Sequence, residues 1–164
     1  VLFHMQKISE KIIKLAQNVY NELGGGFTET VHQVGLSIEL NKAKIHYLRE
    51  TNIEIFYKGH PVGLDKPDFI LYPDKKNFGI SEPIILECKF KEKIDDDARQ
   101  QLKTYLKSVP LNSNPNLKNI KKGLILNFKK KENFKEGVSK KSEESISIEC
   151  WEYNKVKDVM KKIY

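Results

Sequence analysis

Arginine is almost missing from this 164-residue chain. Of its 29 basic residues, only Arg49 and Arg99 are arginines; the rest are lysines. The planar arginine fork is the side chain best suited to reading guanine, whereas lysine serves as a point charge toward phosphate. The shortage argues against base-by-base readout of DNA. Cysteine is equally scarce. Cys88 and Cys150 lie far apart and form no CxxC pair, which excludes a disulfide framework or a zinc knuckle. Each reads as a small buried apolar residue, and the pattern fits a reducing, intracellular compartment. No apolar run reaches membrane-spanning length and no secretory leader is visible, so no membrane partner is expected. There is no internal repeat.

What is present describes a globular chain. The apolar fraction is 39% and the aromatic fraction 10%, with charge spread along the length, which fits one domain with a real core. The net charge of +7 and pI of about 9.2 favour an anionic partner, nucleic acid first, held mainly by its phosphate backbone. AT-rich coding drift would also supply lysines. His4-Met5 resembles a cloning junction, so the domain is expected to begin at Met5 and run to Tyr164.

Periodicity sketches the order of elements. Ile8, Ile12, Leu15, Ala16, Val19, Tyr20 and Leu23 fall at helical spacing before the stop at Gly24-Gly25-Gly26. A second helix is expected from a Thr28 cap to about Ala43, with Val31, Val34 and Ile38 as its apolar stripe and Glu29, His32 and Leu36 on another face. Ile45 to Tyr57 reads as extended, Lys58-Gly59-His60 as a turn, and Phe69–Tyr72 and Ile84–Leu86 as strands around a polar loop from Pro73 to Pro83. A third helix opens at Ile94-Asp95-Asp96-Asp97, carries Ala98, Leu102, Leu106 and Val109 inward, and ends at Pro110. Gly123–Phe128 reads as an interior strand and Ile146, Ile148 and Cys150 as a last one. Glu132–Ser145 reads as a mobile excursion, and a short closing helix is expected from Asn154. The order is mixed α/β around a hairpin-centred sheet.

The chemistry concentrates at Glu87-Cys88-Lys89 and Pro67-Asp68. Two apart in a strand, Glu87 and Lys89 leave from one face while Cys88 points the other way. If the flanking runs form an antiparallel hairpin, a constant index sum places Asp68 beside Glu87. Side-by-side carboxylates repel, and a divalent cation between them reverses the sign. This suggests a metal site acting on phosphate.

With these residues in view, the chain resembles the PD-(D/E)xK nuclease superfamily, and within it the GxxExxY family. Asp68 with Glu87-Cys88-Lys89 is similar to the superfamily signature. Gly26-Phe27-Thr28-Glu29-Thr30-Val31, Tyr57-Lys58-Gly59 with Gly63, Gln101-Leu102-Lys103-Thr104-Tyr105-Leu106 and Gly123–Phe128 match the family in order. The resemblance spans roughly Ile8 to Phe128 and leaves 129–164 as a C-terminal extension. His32 stands where the family carries tyrosine, and the loops after Tyr72 and after the third helix are longer than expected.

The resemblance implies a restriction-endonuclease-like αβββαβ core, a mixed sheet flanked by helices, and a Mg²⁺- or Mn²⁺-dependent nuclease acting on DNA. Asp68 and Glu87 would be metal ligands, with the backbone carbonyl of Cys88 as a third oxygen and Glu29 completing the shell. Lys89 would orient or help deprotonate the attacking water. Gln101 and Tyr105 resemble the QxxxY element that faces such sites. Each residue has a plainer reading. Glu87 and Lys89 could be a rim ion pair, Asp68 a turn residue with Asp65 its competitor, and Glu29 an early-helix acid. Gln101 and Tyr105 could be an ordinary helix face, and His32 a core histidine rather than a metal or phosphate contact. His46 and His60 carry no site reading, and Lys129–Lys131 could be a solvated run as readily as a phosphate contact. A catalytically inactive nucleic-acid-binding module of the same fold is the alternative function, RNA is open as a substrate, and a homodimer is one option for assembly.

Overall fold

A computed structural model describes residues 2–130 and 145–164. The chain opens with helix α1 (Leu2–Leu23), which starts before the expected first turn and buries Met5 with Ile8, Ile12, Leu15, Ala16 and Val19. Helix α2 (Glu29–Lys42) packs against it. A Cβ at Gly35 would sit 2.8 Å from Val19 Cγ1, so glycine is what lets the two helices approach there.

Helix α2 buries a different face from the one expected. Leu36, Leu40 and His32 are buried, whereas Val31, Val34 and Ile38 are exposed at 37, 43 and 50%. The i, i+4 row through His32, Leu36 and Leu40 meets α1 and the sheet. Burial of a histidine is tolerated because its ring nitrogens lie 3.2 Å from Thr28 O and 2.6 Å from Gly24 O. Its ring also packs against Phe90 and Phe128.

Strands β1 (Tyr47–Arg49), β4 (Phe69–Leu71), β5 (Ile84–Lys89), β6 (Lys122–Phe128), β7 (Ile146–Asn154) and β8 (Val159–Lys162) form one sheet in the order β1-β4-β5-β6-β7-β8. Strands β5 and β6 are parallel and the other neighbouring pairs antiparallel. The mixed α/β architecture expected from the sequence is the one observed. Side chains alternate between the two faces of the sheet as the pleat requires, and in β4, β5 and β6 both faces are buried. Phe69, Leu71, Leu86, Cys88, Leu124 and Leu126 face α1 and α2. Ile70, Ile85 and Ile125 face helix α4 (Asp96–Ser108) on the other side.

Strands β2 (Ile53–Tyr57) and β3 (His60–Asp65) make a separate two-stranded hairpin. Its turn carries positive φ at Lys58 and Gly59 (49° and 81°), the left-handed pair that two-residue hairpins favour. The hairpin is tied to the end of α4 through Asn112, which bonds Glu54 N at 2.9 Å and Glu54 O at 3.0 Å.

Two further details depart from expectation. The loop after β4 holds a short helix α3 (Lys75–Phe78), capped by Asp74 and closed by Gly79 at φ 69°. Beyond Asn154 the chain turns at Asp158 and returns as strand β8, not as a helix. Pairing Tyr153 with Met160 and Trp151 with Lys162 satisfies the outer edge of β7. Lys131 and the stretch 132–144, expected as an excursion, lie outside the described residues.

Candidate active site

Strand register builds the site. Phe69 pairs with Leu86 across the antiparallel β4–β5 ladder, so the next residues outward, Asp68 and Glu87, become neighbours. The main-chain N–H of Asp68 donates to Glu87 Oε2 at 3.2 Å, and the N–H of Cys88 donates to Asp68 Oδ2 at 2.7 Å. Lys89, two residues on, extends over the same face and donates to Glu87 Oε1 at 3.1 Å. The Cys88 side chain lies in the core on the opposite face, where burial pushes its thiol well above the usual range. It is chemically quiet, and only its main-chain carbonyl is a candidate ligand.

Helix α4 supplies the next layer. Lys89 Nζ donates to Gln101 Oε1 at 2.6 Å, Gln101 Nε2 donates to Tyr105 Oη at 3.1 Å, and Tyr105 Oη donates to Asp65 Oδ2 at 2.9 Å. An ammonium can only donate, so Gln101 must present its oxygen to Lys89 and its NH₂ to Tyr105. The relay thus has one polarity, from Lys89 to Asp65 at the base of the β2–β3 hairpin. Helix α4 can lie this close because position 123 is glycine. A Cβ there would collide with Leu102 Cδ1, which is fully buried.

Electrostatics follow from burial. Glu87 is 4% exposed. Loss of solvent and then the nearby Asp68 push its carboxyl up to about 7, with Lys89 pulling the other way. Asp68 is raised too, by burial first, against its Cys88 hydrogen bond and the charges of Lys89 and Arg49. Tyr105 is held well above its usual range by burial, Glu87 and Asp65, so it stays a proton donor at neutral pH.

The structure brings Asp68, Glu87, Lys89, Gln101 and Tyr105 together. Glu29, the first residue of α2, is exposed and close enough for its charge to raise Asp68, yet it forms no hydrogen bond within the cluster. Among the described residues no three His, Cys, Asp or Glu side chains are placed to share a metal ion. His32 is a core residue, away from these carboxylates. Of the two readings weighed for it, the core histidine is the one the structure places, for the reason given above.

Three residues escaped sequence reasoning as members of the site. Gln33 Nε2 donates to Asp68 Oδ1 at 2.9 Å; its place four after Glu29 on one helix was the available signal. Asp65, weighed only as a rival to Asp68, is instead the acceptor of Tyr105. Arg49 sits on β1 opposite Phe69, and its rarity was the only hint.

A mixed sheet between helices, with an aspartate and a Glu-x-Lys strand converging at the ends of two adjacent interior strands, is the arrangement already suggested by the motif. Residues 6–141 match the family model of the PD-(D/E)XK nuclease superfamily, and the chain belongs to that superfamily. No curated protein and no solved structure matches it. The superfamily implies a nucleic-acid substrate, and among the described residues no helix is long and apolar enough to cross a membrane.

Proposed function

We propose that the chain is a Mg²⁺- or Mn²⁺-dependent deoxyribonuclease of the GxxExxY group, gripping DNA mainly by its phosphate backbone. The observation that carries this reading is the convergence of Asp68, Glu87 and Lys89 in one hydrogen-bonded cluster. The donor set suits a hard divalent ion. Each of the four carboxylate oxygens accepts one N–H from the protein and keeps a second lone pair. Both acids are raised, a field that a cation relieves. Asp68, Glu87 and the carbonyl of Cys88 would hold the ion, with Glu29 closing the shell directly or through water. Magnesium needs only one or two carboxylates when phosphate and water supply the rest. When bound, the ion supplies Lewis-acid polarisation of phosphate and acidifies water.

The chain's own residues do the positioning. Glu87 and Gln101 occupy two of the three Lys89 N–H bonds, which aims the third at the attacking water or at the phosphate oxygen where charge builds. Tyr105, anchored on Asp65, fixes the Gln101 amide. Two buried free cysteines suit a reducing, intracellular setting.

One observation favours a second reading, a binding module of the same fold without turnover: Glu29 stands outside the cluster. The deciding experiment incubates the protein with circular single-stranded, supercoiled and linear DNA, and with RNA, with and without Mg²⁺ or Mn²⁺, beside Glu87→Ala and Lys89→Ala. Metal-dependent cutting lost in both variants supports the nuclease. Binding that persists in wild type and variants without any cutting supports the module.

A further inference from the structure

Arg49 is the one arginine near the site, and its surroundings are unusual for a guanidinium. The other arginine, Arg99, is paired with Glu149 and Asp96 at 2.8 Å each. Arg49 forms no ion pair among the described residues, and its Nε is buried without a hydrogen-bond partner. An N–H buried with no acceptor is a standing cost to the folded state and calls for an explanation.

The residue is nonetheless held in place. Strand β1 pairs Arg49 with Phe69, and the guanidinium lies 5.4 Å from the Phe69 ring centroid. A cation–π contact of this kind restrains the guanidinium, and the residue is only half-buried, so its terminal N–H groups are available to an anion. Glu50 N donates to Asp68 O at 3.3 Å, so the chain one residue beyond Arg49 is bonded directly to the strand end that carries Asp68. The charge of Arg49 is felt at Asp68 and at Cys88, although neither is its partner. The guanidinium therefore flanks the carboxylates from the α2 side of the sheet, as Lys89 does from the α4 side.

We propose that Arg49 is a substrate-binding residue whose guanidinium donates to a non-bridging oxygen of a phosphodiester in the strand lying across Asp68 and Glu87. The inference rests on the site being a nucleic-acid site and deepens that reading by naming a contact. It gives the chain's single free arginine a task that its lysines cannot perform equally well, since a lysine at position 49 would keep the charge but lose the planar fork.

The test measures binding, not cutting. Short fluorescein-labelled DNA, single- and double-stranded, is titrated in Ca²⁺ against wild type, Arg49→Ala and Arg49→Lys at several salt concentrations, with circular-dichroism melts as a folding control. Arg49→Ala should weaken binding about tenfold and reduce the log-affinity against log-salt slope by about one. Arg49→Lys should restore the slope while leaving affinity reduced. In a scan replacing single phosphates by uncharged methylphosphonate, wild type should lose affinity at one position where Arg49→Ala loses none. Unchanged affinity and slope in Arg49→Ala would overturn the proposal, as would an unaltered methylphosphonate profile or a wild type that binds neither strand. Tight binding by a wild type that never cuts would sink the nuclease reading and leave this contact standing.

Discussion

The main-chain N–H of Asp68 donates to the Glu87 side chain at 3.2 Å, so the two acids of the site are joined through the backbone of one and the carboxylate of the other. That geometry depends first on strand register. A one-residue slip would send Glu87 into the α1–α2 core. Burial in this position raises both carboxyls, and a pH dependence follows.

Because the folded-state value of Glu87 lies near 7, above its ordinary 4.5, the folded chain holds this proton more tightly than the unfolded one. Stability from this group is fully present below the ordinary value and declines as pH rises through about 7. The raised Asp68 acts in the same sense. Without metal, wild type should be less stable at pH 8 than at pH 5 by roughly 1–3 kcal/mol from this pair. Glu87→Gln should flatten that difference, and Mn²⁺ at pH 8 should restore wild type alone. Denaturant melts at the two pH values check the sign. A Glu87→Gln variant with the same pH profile as wild type contradicts it.

In the proposed site Gln101 acts through Lys89, whose ammonium it accepts from. Gln101→Leu removes the acceptor 2.6 Å from Lys89 Nζ and should lower single-turnover cleavage about 10- to 100-fold with little change in DNA affinity. Lys89→Met should abolish cleavage outright. Equal loss of rate and affinity in Gln101→Leu would mean that the glutamine binds DNA itself.

Tyr105→Phe deletes one hydroxyl and leaves Asp65 Oδ2 and Gln101 Nε2 without their partner. Two lost hydrogen bonds in a part-buried setting should cost about 1–2 kcal/mol. Cleavage should fall less than in Gln101→Leu, because Gln101 still meets Lys89. Thermal melts and initial rates on the same preparation separate the two effects.

Gly123→Ala tests the seating of α4. The added methyl would strike Leu102 Cδ1 in a filled core and should destabilise the fold by about 1–3 kcal/mol. Since Gln101 and Tyr105 ride on that helix, cleavage should drop further than stability alone explains. The check is activity measured where the variant remains fully folded by circular dichroism.

Much of the site was legible because it follows from local rules. The index sum across the β4–β5 hairpin places Asp68 beside Glu87, and the longer loop did not spoil it because Asp74, Asn77 and Gly79 close a turn within it. The Gln101–Tyr105 pair is an i, i+4 relation on one helix. The buried face of α2 was not legible, because two apolar rows compete there and the winning one contains a histidine. Its burial depends on nearby carbonyls at Gly24 and Thr28 and on the rings of Phe128 in β6 and Phe90 just past β5, and the two rings are tertiary partners. Strand β8 was hidden by a polar turn before a short run, and its strand character comes from pairing with β7. Gln33 bonds Asp68 from α2 and the charge of Arg49 acts on it from β1; the i, i+4 spacing from Glu29 hinted at the first, and no spacing in the chain announces the second.

The central claim is that Asp68 and Glu87 jointly hold a divalent ion. Anomalous diffraction from crystals grown in Mn²⁺ tests it most directly. The account predicts a manganese peak at about 2.2 Å from oxygens of both carboxylates, with the Cys88 carbonyl turned toward it. Carboxylates that diverge around empty density, or a peak bound only elsewhere on the surface, would contradict it.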